Sequence, residues 1–129
     1  MTGERKIRVL ISSRYALFRT GLRALLENAV IFRVLGESHT TQQTVRFAKR
    51  LHPDVVVIDA GSRGLNAPET SRMLKELDPA IKIVVLTATE QQIEDCMTAG
   101  ANAYVRKAAQ SESLKTAIYN VCMGRTFAA

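Results

Sequence analysis

Tryptophan is absent, and phenylalanine and tyrosine together make up 5% of the 129 residues. A core must therefore be built from aliphatic side chains, a balance usual where helices cover a sheet. No apolar run approaches the roughly 20 residues that cross a bilayer. The charged start "MTGERKI" is not followed by the apolar core of a signal peptide. Both absences lead to the expectation of a cytoplasmic protein with no membrane partner. Cysteine is also scarce: Cys96 and Cys122 lie far apart, each inside a helical pattern and without metal-ligand spacing, and are expected as free thiols. His39 and His52 stand near predicted element ends and read as loop or capping groups. Acidic residues are outnumbered 12 to 18 by lysine and arginine, for a net charge of +6. The basic residues are dispersed, with no dense run and no interleaved aromatics, so they read as a solvated surface ahead of a nucleic-acid groove.

What is present is an alternation of apolar runs and helical patterns, repeated five times. The length suits one domain that buries roughly two thirds of its unfolded surface. "IRVLI" (7–11) precedes a helical segment over 16–29, with Leu17, Phe18, Leu22, Leu25 and Leu26 as its apolar positions. "FRVLGE" (32–37) precedes a helix opened by a Thr40/Gln43 capping box, carrying Val45, Ala48 and Leu51, and stopped at His52-Pro53. "DVVVID" (54–59) has the four consecutive apolar residues of a central parallel strand buried on both faces. Asn66, Pro68 and Glu69 then start a helix with Met73, Leu74 and Leu77 on its inner side. "IKIVVLTA" (81–88) precedes a Thr89/Gln92 capping box, and "ANAYVRK" (101–107) follows Gly100. A last helix begins at Ser111, carries Leu114, Ile118, Val121 and Cys122, and ends at Gly124. The pattern predicts an α/β fold, a (βα)5 doubly wound parallel sheet.

In such a sheet the carboxyl ends of the strands share one edge, where ligands bind. That edge gathers Ser12 and Ser13 from the first strand, Asp59 from the third, Thr87 from the fourth and Lys107 from the fifth. An aspartate after four buried apolar residues is costly unless paired, and Lys107 is the natural cation. Read from pattern alone, the group is equally a capped loop with a neutralising lysine or a functional site.

Four segments in order, "RTGLRALLE", "HPDVVVID", "IKIVVLTA" and "AGANAYVRKA", resemble the bacterial response-regulator receiver domain, most closely its NarL/FixJ class, over almost the whole chain. The resemblance implies the flavodoxin-like strand order 2-1-3-4-5. It also implies that Asp59 stands at the phosphoacceptor position. Thr87 and Tyr104 are then the switch residues, and Lys107 the contact to the phosphoryl group.

The chain departs from that pattern at "ISSRY". Receivers place an acidic pair there to hold magnesium; Ser12 and Ser13 would leave a degenerate metal pocket. Magnesium is normally held through one or two carboxylates. Losing one within about 4 Å of a divalent ion forfeits roughly 8 kcal/mol of raw attraction at an effective dielectric of about 20. A net loss of even 2 to 3 kcal/mol would weaken binding about a hundredfold. No cofactor is expected beyond weakly held magnesium. Arg14 and Arg63 are candidate substitutes for the metal's charge, each to be weighed against a solvent-facing role. "GSRGLNA" lacks the Met-Pro pair common after the phosphoacceptor, and Ala108 stands where many receivers have proline.

The leading expectation is an atypical receiver over residues 1–124 that controls transcription by phosphorylation-independent dimerisation or partner binding. Residues 125–129 would begin a linker to a C-terminal helix-turn-helix domain that binds DNA. A homodimer is expected, through the first and last helices or through the fourth helix, fifth strand and fifth helix. One alternative is a conventional phosphoswitch addressed by a sensor histidine kinase at Asp59. Another is a stand-alone adaptor whose basic surface binds an acidic partner or nucleic acid. An enzyme with nucleophilic serines is disfavoured, since neither serine has a neighbouring histidine or a nucleophile elbow.

Overall fold

The structure, a computed structural model, describes residues 5–87, 89–107 and 111–124, and the backbone of 127–128. The strands β1 (Ile7–Ser12), β2 (Phe32–Ser38), β3 (Val55–Asp59), β4 (Lys82–Thr87) and β5 (Ala103–Arg106) alternate with the helices α1 (Ala16–Glu27), α2 (Thr41–Leu51), α3 (Ala67–Leu77), α4 (Glu90–Thr98) and α5 (Ser111–Cys122). All pairings are parallel. The order is the expected 2-1-3-4-5, extended outside β5 by a two-residue strand, β6 (Phe127–Ala128). Two of the five residues read as the start of a linker therefore pair with the sheet. The β1–β2 register shifts between Val9 and Leu10, which face Val34 and Gly36, so that Leu35 is bulged.

Strand side chains alternate between faces, and the apolar runs serve two cores. Val9, Ile11, Val55, Val57, Val84, Leu86, Ala103 and Val105 face Leu22 and Leu26 of α1 and Leu114, Ile118 and Val121 of α5. Leu10, Val56, Ile58, Ile83 and Val85 face Ala48 of α2, Leu74 of α3 and Cys96 of α4. Each buried valine, leucine or isoleucine among these contributes about 1.5–3 kcal/mol, which is why β3 needs apolar residues at every position before Asp59.

Two of the expected inner residues are exposed. Leu17 is 85% exposed, because Phe18, Leu22, Leu25 and Leu26 already define the inner face of α1 and Leu17 lies one step round the helix. On α3 the buried residues are Ala67, Thr70, Ser71 and Leu74, which leaves Leu77 at the exposed end.

The starts follow their caps. Thr40 Oγ1 accepts the Gln43 amide at 3.0 Å and Asn66 Oδ1 accepts the Glu69 amide at 3.0 Å. Gln43 Oε1 closes its box on the His39 amide at 2.9 Å, one residue before the cap. His52 ends α2 in the left-handed region at φ +52°. Both cysteines are free, and burial pushes their thiols up to about 11. Among the described residues no helix is long and apolar enough to cross a membrane.

Candidate functional site

Strand alternation also sorts the polar residues at the carboxyl edge. Ser13 continues the parity of Ile11, Asp59 that of Val57, and Lys107 that of Val105, so all three belong to the α1/α5 side. Ser12, Thr87 and Tyr104 have the opposite parity and fall on the side of α2 and α4. Of the residues anticipated at one pocket, the structure brings together only the first three.

Asp59 is 1% exposed. Its Oδ2 accepts the Ser13 hydroxyl at 2.7 Å, and its Oδ1 faces Lys107 Nζ at 2.5 Å. Among the described residues Lys107 is the partner of Oδ1, in an ion pair. The ammonium itself remains partly exposed and lies 5.4 Å from the centre of the Phe18 ring. The Ser13 hydroxyl also accepts the Tyr15 amide at 3.2 Å, which sets the chain at the entry to α1.

Ser12 turns to the other face. The Thr44 hydroxyl donates to the Thr40 carbonyl at 2.6 Å and lies 2.6 Å from Ser12 Oγ and 2.8 Å from Ser38 Oγ. One donated proton and two lone pairs satisfy Thr44 if both serines donate to it. This buried hydroxyl cluster contains no charge, and it keeps Ser12 out of the Asp59 pocket.

Thr87 is directed at α4. Its hydroxyl reaches Gln92 Oε1 at 2.7 Å and the Thr89 carbonyl at 3.1 Å. Tyr104 is half-buried under the Arg106 guanidinium, 5.6 Å from the ring centre, and Arg106 pairs with Glu90 at 2.7 Å. Gln92 and Ser62 were not anticipated at the site. The capping box expected at Thr89 and Gln92 is half present: the Gln92 backbone amide bonds Thr89 Oγ1 at 3.2 Å, but its side chain serves Thr87. Ser62 is buried and accepts the Arg14 amide at 2.6 Å, which ties the loop after β3 to the turn after β1 without the Met-Pro pair.

The two arginines proposed as charge substitutes do not reach Asp59. Arg14 and Arg63 are exposed, and among the described residues neither forms an ion pair with it. With its amide held by Ser62, Arg14 sends its guanidinium out along the loop, where Nη1 lies 3.7 Å from the position a β-carbon would take on Gly64. Ala108 lies outside the described residues.

A network on the α1 side borders the pocket. Arg19 donates to the Ser13 carbonyl at 2.7 Å and to Glu37 at 3.0 Å, and Arg23 donates to Glu37 at 2.7 Å. The bond from Arg23, followed by that from Arg19, holds the Glu37 carboxyl below its ordinary range against the opposing effect of burial. Glu37 is thus committed to two arginines. Among the described residues no group of three or more His, Cys, Asp or Glu side chains could hold a metal ion.

Comparison with known proteins agrees with the architecture. The model of the response regulator receiver domain matches residues 9–119, and the chain belongs to that family. It is 32% identical over 123 residues to the response regulator GacA of Pseudomonas aeruginosa, covering 94% of this chain and 58% of that protein. It is 29% identical over 127 residues to the nitrate/nitrite response regulator protein NarL of Escherichia coli K12, covering 96% and 58%. The chain thus spans little more than half the length of these relatives. Among solved structures it resembles a LuxR-family two-component response regulator from Aurantimonas sp. SI85-9A1, with TM-score 0.89, 26% identity, and 96% and 89% of the two chains covered. It shares its fold with RcsB, solved as two dimers bound to two parallel DNAs, at TM-score 0.87 and 19% identity over 97% and 65% of the chains.

Proposed function

We propose that this chain is an atypical receiver that controls transcription by phosphorylation-independent dimerisation or partner binding in the cytoplasm. A C-terminal helix-turn-helix module following residues 125–129 would carry DNA binding. The observation behind this reading is the occupation of Asp59: one oxygen faces Lys107 and the other holds Ser13. Magnesium-assisted phosphoryl transfer needs the ion's charge to neutralise the transferring group. The donor set around Asp59 does not fit that ion. Ser13 brings a hydroxyl without charge, Ser12 is turned to Thr44, and Glu37 is held by arginines. Lys107 places its positive charge directly against Asp59.

GacA and NarL each extend beyond the 58% of their length that this chain covers. The α1/α5 face is the better candidate for self-association. Leu17 on α1, Val30 and Ile31 in the turn after it, Tyr119 on α5 and Met123 just past its end are exposed, whereas the opposite edge carries the Glu90–Arg106 ion pair. Thr87 and Tyr104 would connect the pocket to these surfaces.

The test is to incubate the chain with acetyl phosphate and magnesium, then record its intact mass and its sedimentation. The expected result is no added phosphoryl group and an unchanged oligomer. A phosphoryl group on Asp59, accompanied by a changed oligomer, would replace this reading with the conventional phosphoswitch.

A further inference from the structure

Thr87 has one hydroxyl proton and, among the described residues, two acceptors in reach. Gln92 Oε1 is at 2.7 Å, the best distance for an O–H···O bond, and the Thr89 carbonyl is at 3.1 Å. A lone pair of the same oxygen receives the Thr89 amide at 3.3 Å. The proton therefore goes to Gln92, and Thr87 is held on the α4 face, away from Asp59.

The far end of Gln92 is equally placed. Its Nε2 lies 3.0 Å from where a β-carbon on Gly61 would stand, over the loop that follows Asp59. Gly61 has φ +90°, so its backbone and the space above it both select glycine. One side chain thus spans from the end of β4 to the β3–α3 loop, and it comes from the first turn of a capped helix.

We propose that Gln92 is a positioning residue, a latch that holds Thr87 on the α4 side and covers the Gly61 flank of the pocket. Movement of Thr87 toward Asp59 then begins with rupture of the Thr87–Gln92 hydrogen bond. The inference rests on the reading of Thr87 as the connection between pocket and surface. Its signal would be whatever pulls Gln92 outward, a partner gripping the start of α4 included.

Three-bond couplings to the Thr87 methyl carbon report its χ1 rotamer, and the Gly61 amide reports the far end. In the native chain we expect one fixed Thr87 rotamer. Gln92→Ala should populate a second rotamer about fivefold more, the effect of one net hydrogen bond, and shift the Gly61 amide. Gln92→Glu, which keeps an acceptor at the same reach, should retain the fixed rotamer near neutral pH. Gln92 is only half-buried, so neither change threatens the fold. Unchanged couplings and an unchanged Gly61 amide in Gln92→Ala would overturn the latch, as would loss of the fixed rotamer in Gln92→Glu. If Gln92→Ala frees Thr87 but leaves sedimentation unaltered, the latch stands and Thr87's connection to self-association falls.

Discussion

At the residue scale the pocket depends on one buried carboxylate and on which neighbours share its side of the sheet. Ser13 does, and Ser12 does not. Ser13→Asp alone is therefore expected to raise magnesium affinity by on the order of a hundredfold, measured by calorimetry. Ser12→Asp should give no such gain. It would bury a carboxylate among the Ser38 and Thr44 hydroxyls with no cation, costing about 3 kcal/mol or more in urea unfolding. The double change should bind magnesium no better than Ser13→Asp. A gain from Ser12→Asp alone would contradict the assignment. Counting by twos from the buried runs already separates Ser12 from Ser13 and Thr87 from Asp59, so this division was legible in the sequence. A shared edge is not a shared face, so a position at a strand's end does not by itself place a side chain in the pocket.

At the scale of elements, the alternation of strand and helix is readable because the central strands β3 and β4 carry unbroken apolar runs and α2, α3 and α4 announce their caps. Leu17 falls outside the inner stripe because α1 has apolar residues at neighbouring positions and only packing selects among them, whereas Leu77 lies on the stripe of α3 but closes its last turn. The bulge at Leu35 has no local signal, since it depends on pairing with β1; Gln92 lies only five residues from Thr87, but the capping-box pattern that contains it does not show where its side chain goes. The Arg19–Glu37–Arg23 network joins α1 to β2 and makes a pH-dependent contribution. Because the folded Glu37 carboxyl lies below its ordinary 4.5, its stabilisation is complete above that pH and fades as pH falls through the lower folded value. Glu37→Gln should cost about 1 kcal/mol near neutrality. That difference should shrink in urea melts below pH 4.5, the ordinary value for this group. A difference that grows on acidification would refute the assignment.

At the scale of the whole molecule, a closed two-core sandwich presents two surfaces of different character, one with exposed apolar side chains and one bearing the Glu90–Arg106 pair. Leu17→Asp should weaken self-association tenfold or more, about 1.4 kcal/mol. Because Leu17 is 85% exposed, stability should change by no more than about 0.5 kcal/mol. Arg106→Glu should leave sedimentation unchanged, and the reverse pattern would move the interface to the other face. All of this presupposes a pocket balanced by Lys107 in place of a metal. The most direct measurement is a magnesium titration of the native chain followed by the amide resonances of Ser13, Asp59, Thr87 and Lys107. No saturable shift through the low-millimolar range is predicted. Saturable shifts at these four residues would mean that the pocket still binds its ion, and the account of a metal-independent receiver would fail.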